Sequence, residues 1–231
     1  MTFPGRVWDS RRFVAIAAVL MFAPALYVGA WLTASEAAVE DQAPDYVREA
    51  YINDDFESYY SSAPAAQFST EVLVNNIQVS FFAYAAGILA GVGTAAILIL
   101  NGLVLGEAAG LFHAAGEAPK FWGLVLPHGL LELTAIVIAG GAGLRIGWAM
   151  IAPGDRTRGS AVAEEGRRSV PIVLGLVLVF VTAGLIEGFV TPSGLETWAR
   201  VGIGVLVEVA FLTYIVGFGR TADLGEAGAM R

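Results

Sequence analysis

Apolar residues in this chain come in long uninterrupted blocks. They show neither the alternation of a half-buried strand nor the one-sided stripe of a soluble helix. Residues 13–32 and 72–105 contain no charged side chain. Residues 131–151 contain two, Glu132 and Arg145. Residues 171–190 contain only Glu187, and residues 201–219 only Glu208. Each block is about 18 residues or longer, enough to cross a hydrocarbon core of roughly 30 Å at about 1.5 Å per residue. One such helix can be buried in a soluble domain; this many in a short chain call for lipid. The pattern predicts an all-α, polytopic membrane helix bundle forming a single domain over residues 1–231. Its continuous spans fall at 12–33, 72–104, 128–151, 170–190 and 201–219.

Composition agrees, with 56% hydrophobic and 15% charged residues, against about a quarter charged in ordinary soluble domains. The formal net charge is −8, but it is unevenly placed. Arg6, Arg11 and Arg12 precede the first span, and Arg156, Arg158, Arg167 and Arg168 fill 153–169. Arg220 and Arg231 follow the last span. Short basic loops stay in the cytoplasm, so these three clusters, and the N-terminus, are assigned to the inside of the plasma membrane. Segment 34–71 holds Glu36, Glu40, Asp41, Asp45, Glu49, Asp54, Asp55, Glu57 and Glu71 against Arg48 alone, and is assigned to the outside. Arg11-Arg12 before an apolar run resembles a twin-arginine export signal, but the spacing does not fit and further spans follow. The reading adopted is a first membrane helix.

That orientation requires one more outward crossing between 72–104 and 128–151. Segment 105–127 is polar and glycine-rich, and is predicted to be a broken or re-entrant crossing, making about six in all. Such backbone is tolerated at membrane depth where protein or a wet cavity covers it. Five crossings, with 105–127 on one side, is the alternative. In the outer loop, 45–60 reads as an amphipathic helix with Val47, Tyr51, Phe56, Tyr59 and Tyr60 on its apolar side. Such a helix can rest on the headgroups or receive an extracytoplasmic partner. Ser69-Thr70-Glu71 reads as the start of the next helix. Glycines four apart (87/91, 102/106/110, 143/147 and 184/188) let helix backbones approach closely. They serve packing within the chain first and a homo-oligomer interface second.

The polar residues inside these blocks are the candidates for function: Asn75, Asn76, Asn101, Glu107, His113, His128, Glu132, Glu187 and Glu208. Ionisable groups at membrane depth are expensive and usually face a bundle interior or a cavity. Glu208 has no cation in its own block, so it must pair with another helix, meet water or carry a proton. His128 and Glu132 are four apart and share one helical face, as a structural tie, a proton or ion relay, or a metal or catalytic pair. The chain has no cysteine and two histidines, which leaves thiolate chemistry out. Zinc would need at least three protein ligands, and nothing in the spacing demands it. No phosphate loop, nucleophile elbow or metalloprotease helix is present. No catalytic residue, metal or cofactor is assigned. Lys120 is the lone lysine and there is no basic stripe, so nucleic acid is not expected as a partner.

Several of these residues stand in a recognisable order. They are Asn75-Asn76, then Leu100-Asn101-Gly102, then Leu126-Pro127-His128-Gly129-Leu130-Leu131-Glu132-Leu133. Ile138-Ala139-Gly140-Gly141-Ala142-Gly143-Leu144 and Glu187-Gly188-Phe189-Val190-Thr191-Pro192 follow. Together, over roughly residues 75–192, they resemble the stage II sporulation protein M family of integral membrane proteins. The resemblance implies a membrane scaffold that works with extracytoplasmic, peptidoglycan-remodelling partners, and a polar core containing His128, Glu132 and Glu187. The expected function is therefore a non-enzymatic scaffold in the bilayer that docks membrane or envelope proteins. A transporter or permease-like channel using the His/Glu core is the alternative, and an intramembrane enzyme the third reading.

Overall fold

With no water in a bilayer core, backbone groups must be satisfied within each segment, so long apolar blocks become helices. The computed structural model describes residues 2–42, 52 and 65–229, with side chains from 74 to 221 in the last stretch. Short helix α1 (Phe3–Asp9) turns at Ser10 into α2 (Arg11–Ala34), and α3 (Glu36–Gln42) follows. Then come α4 (Ala65–Ala85), α5 (Val92–Ala114), α6 (Ala118–Ile151), α7 (Arg158–Phe189) and α8 (Thr197–Ala229). Helices α2, α5, α6, α7 and the Thr197–Thr221 part of α8 are long and apolar enough to cross a membrane. Their outer faces expose Val19, Leu26, Val104, Leu178, Leu206 and Phe218 among others, a surface suited to lipid and not to water. The protein is a multi-pass helical membrane bundle.

Side-chain pairings give the direction of each helix. Met21, Ala25 and Gly29 of α2 meet Gly102, Gly106 and Gly110 of α5 in that order, so these two helices are parallel. Gly91 against Gly147 and Phe112 against Phe121 make α6 antiparallel to α5. Glu165 at Arg145 and Glu187 at His128 make α7 antiparallel to α6. Gly204 at Pro127 and Glu208 at Thr134 return α8 alongside α6. Helix α4 follows α6 downward, Asn76 beside Glu132 and Ala83 beside Gly143. The described residues thus pass through the bundle six times, five of them on the helices long and apolar enough to cross a membrane. One end gathers α1 and Arg11, Arg12, Arg145, Arg156 and Arg168; the other gathers α3 and the α5–α6 and α7–α8 links.

The break in the chain is not where the polarity pattern put it. Segment 72–104 is not one span. Helix α4 already runs from Ala65, ahead of the expected start at 69–71, and ends in a 3-10 turn, Ala86–Ile88. Gly91, at φ 80°, then starts α5, with Ala90 beside it at φ 53°. A left-handed residue costs glycine nothing sterically and ends a helix. Gly87 and Gly91 seat this turn directly on the backbone of Gly143 and Gly147 in α6. Segment 105–127, in turn, is neither broken nor re-entrant: it completes α5, turns at Gly116 (φ 79°) and begins α6. Pro127 sits inside α6 without breaking it, like Pro24 in α2 and Pro171 in α7.

The arginine segment 153–169 is also mostly helix, since α7 starts at Arg158. The Thr157 hydroxyl accepts from Ser160 N at 3.3 Å as an N-cap. Arg168 then pairs back to Glu164 and Glu165 one turn away. The expected amphipathic helix at 45–60 lies outside the described residues except for Ile52. Ile52 is buried against Phe112 and Phe121, and its carbonyl accepts from Lys120 Nζ at 3.0 Å.

A Cβ at Gly106 would lie 2.4 Å from the Ala25 carbonyl oxygen, whereas one at Gly166 meets nothing within 4 Å. Gly106→Ala is therefore expected to lower stability by about 1–3 kcal/mol through overpacking. Gly166→Ala should raise it by up to about 1 kcal/mol through helix propensity. Opposite shifts of the thermal unfolding midpoint in detergent check this pair.

Candidate functional site: a buried polar cluster

Four of the nine candidate residues come together between α4, α6 and α7. His128 and Glu132 lie one turn apart on α6, just after Pro127, and point to the same side. They are 3% and 4% exposed, and Glu187 near the end of α7 is 1% exposed. His128 Nε2 stands 3.6 Å from Glu187 Oε1. Its Nδ1 shares a 3.3 Å hydrogen bond with the Thr191 hydroxyl, the donor depending on the tautomer. Asn76 donates from α4 to Glu132 Oε2 at 2.7 Å. Arg200, in the first turn of α8, donates to the Thr191 carbonyl at 2.6 Å. The cluster therefore ties α4, α6, α7 and the α7–α8 link at one level, near the acidic end.

Thr191 and Arg200 were not candidates from the sequence. Their signal was weak: Thr191 lies four residues after Glu187 in the chain, but Arg200 acts through a backbone carbonyl. Among the described residues, Glu132 Oε1 and both oxygens of Glu187 have no hydrogen-bond partner. Glu132 is also near enough to Glu187 to interact with it electrostatically. Buried carboxyl oxygens without donors are costly, which marks this cluster as one the bundle buries against an energetic penalty. Among the described residues, no three His, Cys, Asp or Glu side chains converge as metal ligands would.

The other five candidates lie elsewhere. Glu208 on α8 accepts from the Thr134 hydroxyl at 2.7 Å, while its Oε2 has no hydrogen-bond partner among the described residues. This is a separate α6–α8 tie. Asn101 donates to the Ile97 carbonyl of its own helix at 2.8 Å. Glu107 accepts from Gln42 of α3 at 2.9 Å. His113 Nε2 accepts from Trp122 Nε1 at 2.8 Å, next to the α5–α6 turn. Asn75, beside Asn76, is exposed.

A second polar network was missed entirely. At the opposite end of α6, Arg145 donates to Glu165 at 2.8 Å, to Asp9 at 2.6 Å and to Ser10 at 3.1 Å. A lone arginine in an apolar block was its visible sign. From α4, Tyr84 shares a 2.7 Å hydrogen bond with Ser169, one turn along α7 from Glu165.

The bond between Asn76 and Glu132 sets up a double-mutant cycle. Asn76→Leu leaves Glu132 Oε2 buried and unpaired, and is expected to cost about 1–3 kcal/mol. Adding Glu132→Leu removes the orphaned group and should recover most of that loss. Unfolding midpoints of the two single variants and the double variant measure the coupling; simple additivity would contradict it.

Comparison with known proteins fits this architecture. The family model "Stage II sporulation protein M" matches residues 18–192, which include the whole cluster except Arg200. An uncharacterized protein of Methanocaldococcus jannaschii is 31% identical over 145 residues, 62% of this chain and 80% of the relative. No solved structure matches the chain significantly. The chain belongs to the stage II sporulation protein M family.

Proposed function

We propose that this protein is a non-enzymatic scaffold of the plasma membrane, with its arginine-rich end and N-terminus in the cytoplasm. Its acidic end docks envelope-acting proteins on the outer side. The observation that carries this reading is how the polar cluster is used. His128, Glu132 and Glu187 are almost fully enclosed, and the bonds made around them join helices. A pathway residue needs access; a structural tie does not. Family membership supports the same reading, as does the acidic character of α3 and the segment after it. Arginines at one end support the orientation.

One observation favours a transporter or channel as the second reading. Asn76, Ser80 and Tyr84 stand four residues apart on α4, a polar stripe running from the Glu132–Glu187 cluster towards the Arg145 network. Among the described residues, Ser80 Oγ, Glu132 Oε1 and Glu187 Oε1 and Oε2 are buried without a hydrogen-bond partner, and such groups suit a path lined by water.

The cysteine-free chain allows a direct test. Single cysteines at 80, 113, 128, 132, 187 and 208 are treated with a small water-soluble thiol reagent in intact membranes. Under the scaffold reading only position 113 labels. Labelling of 132, 187 and 80 together would replace the scaffold with a conducting path. Protease added outside intact cells should cut within 43–64 and spare 152–157; the reverse order would invert the orientation.

A further inference from the structure

The arginine-rich end holds a cavity of about 380 Å³ between the start of α2, the end of α6 and the α6–α7 link. Arg11, Arg12, Arg145 and Arg156 line it, against Asp9 and Glu165. The two acids are already engaged by Arg145, which bonds Asp9, Ser10 and Glu165. Arg168 and Glu164 at its edge pair with Glu165 and Arg156, and including them leaves the balance unchanged. Four arginines against two acids becomes five against three, an excess of two positive charges either way.

The remaining cations are underused. Arg11 donates one Nη1 bond, to the Trp8 carbonyl at 3.0 Å, and lies over the Trp8 ring. Arg12 is exposed and makes no hydrogen bond or ion pair among the described residues. Arg156 is partly exposed and bonds Glu164 and the Pro153 carbonyl. Guanidinium forks match phosphate oxygens, and Arg is the favoured residue for such recognition.

The height of the cavity suggests where the phosphate comes from. Phe13 and Trp148 are also in its wall, and Trp148 is half exposed in the last turn of α6. Indole rings favour the level of the headgroups. Ile16 and Val19, immediately beyond on α2, are exposed apolar side chains, as acyl-chain contacts are. Basic pockets between membrane helices hold anionic headgroups.

We propose that this cavity binds a phosphate-bearing anionic headgroup, with Arg11, Arg12 and Arg156 as its ligands. A lipid is the favoured source and free phosphate the other. The inference stands apart from the scaffold reading, since it uses neither the buried cluster nor the acidic end.

The test uses the full chain in detergent, with lipid retention read by native mass spectrometry. Phosphatidylglycerol and phosphatidylcholine are the probes, with inorganic phosphate as competitor. The wild type should retain phosphatidylglycerol in preference. Arg11→Gln with Arg12→Gln should weaken that retention by about fivefold per arginine removed. Phosphatidylcholine should be unaffected, and Arg167→Gln, outside the cavity, should change little. If the double variant fails to fold, Arg12→Gln with Arg156→Gln carries the same test. Inorganic phosphate binding that the variants abolish, without lipid preference, would keep the site and assign it a soluble source. Equal retention of both lipids with no phosphate binding would overturn the proposal, as would an equal loss in Arg167→Gln.

Discussion

How near the other helices come to the backbone of α6 decides the arrangement of this bundle. Lipid tails are as apolar as the side chains they contact, so helix association rests on close packing and interhelical hydrogen bonds. Helix α6 supplies both. Along 140–147 its glycines meet Leu98 of α5 (Gly140), Val14 of α2 (Gly141), the Ala83 carbonyl of α4 and Thr94 of α5 (Gly143), and Gly91 (Gly147). Four parts of the chain converge on about two turns of one helix. Seating Ala83 against Gly143 fixes the height of α4, which in turn brings Asn76 to Glu132. The polar cluster is thus a consequence of glycine packing three turns away.

The same contacts explain what the sequence made legible and what it hid. A crossing must be apolar throughout, so each long block announced a membrane helix. The uncharged stretch 72–105 was read too simply. At about 1.5 Å per residue it spans roughly 50 Å, well beyond a core of about 30 Å. That excess length, with Gly87, Gly91 and Gly93 clustered inside it, was the available evidence for two helices and a turn. Gly87 and Gly91 are read from the sequence as packing residues, which they are, but Gly91 also carries the left-handed backbone of the turn. The charged segment 153–169 misled in the opposite way. Charge marks exposure to water, not absence of helix, and α7 simply begins outside the apolar zone.

The candidate site divides along a similar line. Searching for polar residues in apolar blocks found Asn76, His128, Glu132 and Glu187, because burying them requires a reason. It could not separate them from Asn101, whose amide bonds its own helix. Nor could it set aside Glu107 and His113, whose partners lie near the acidic end of the bundle. The cost of a polar group is legible in sequence, but its partner is a matter of which helix lies alongside. Thr191 and Arg200 fell outside the search because polar residues in and next to a short link need no explanation until their partners, the His128 ring and a backbone carbonyl, are seen.

The polar stripe on α4 finally bears on whether the two networks communicate. At one end is the His128–Glu132–Glu187 cluster, at the other Arg145 with Asp9 and Glu165, and Tyr84 reaches the second through Ser169. Between Asn76 and Tyr84 only Ser80 is polar on this face, Gln78 being exposed on another. Its hydroxyl, without a hydrogen-bond partner among the described residues, lies with Tyr84 beside a cavity of about 190 Å³ whose other walls include Ile77, Phe81, Ile172, Leu176 and Phe180. Cavities of this size with apolar walls stay dry, and a proton needs an unbroken series of donors and acceptors to move. Along α6 the intervening residues 135–144 are only Ala, Ile, Val, Gly and Leu. The gap argues that the networks act as two separate locks, each holding α7 against one end of α6. Such a spine gives the acidic end a fixed geometry, which is what a docking platform requires and what a gated pathway would have to relax.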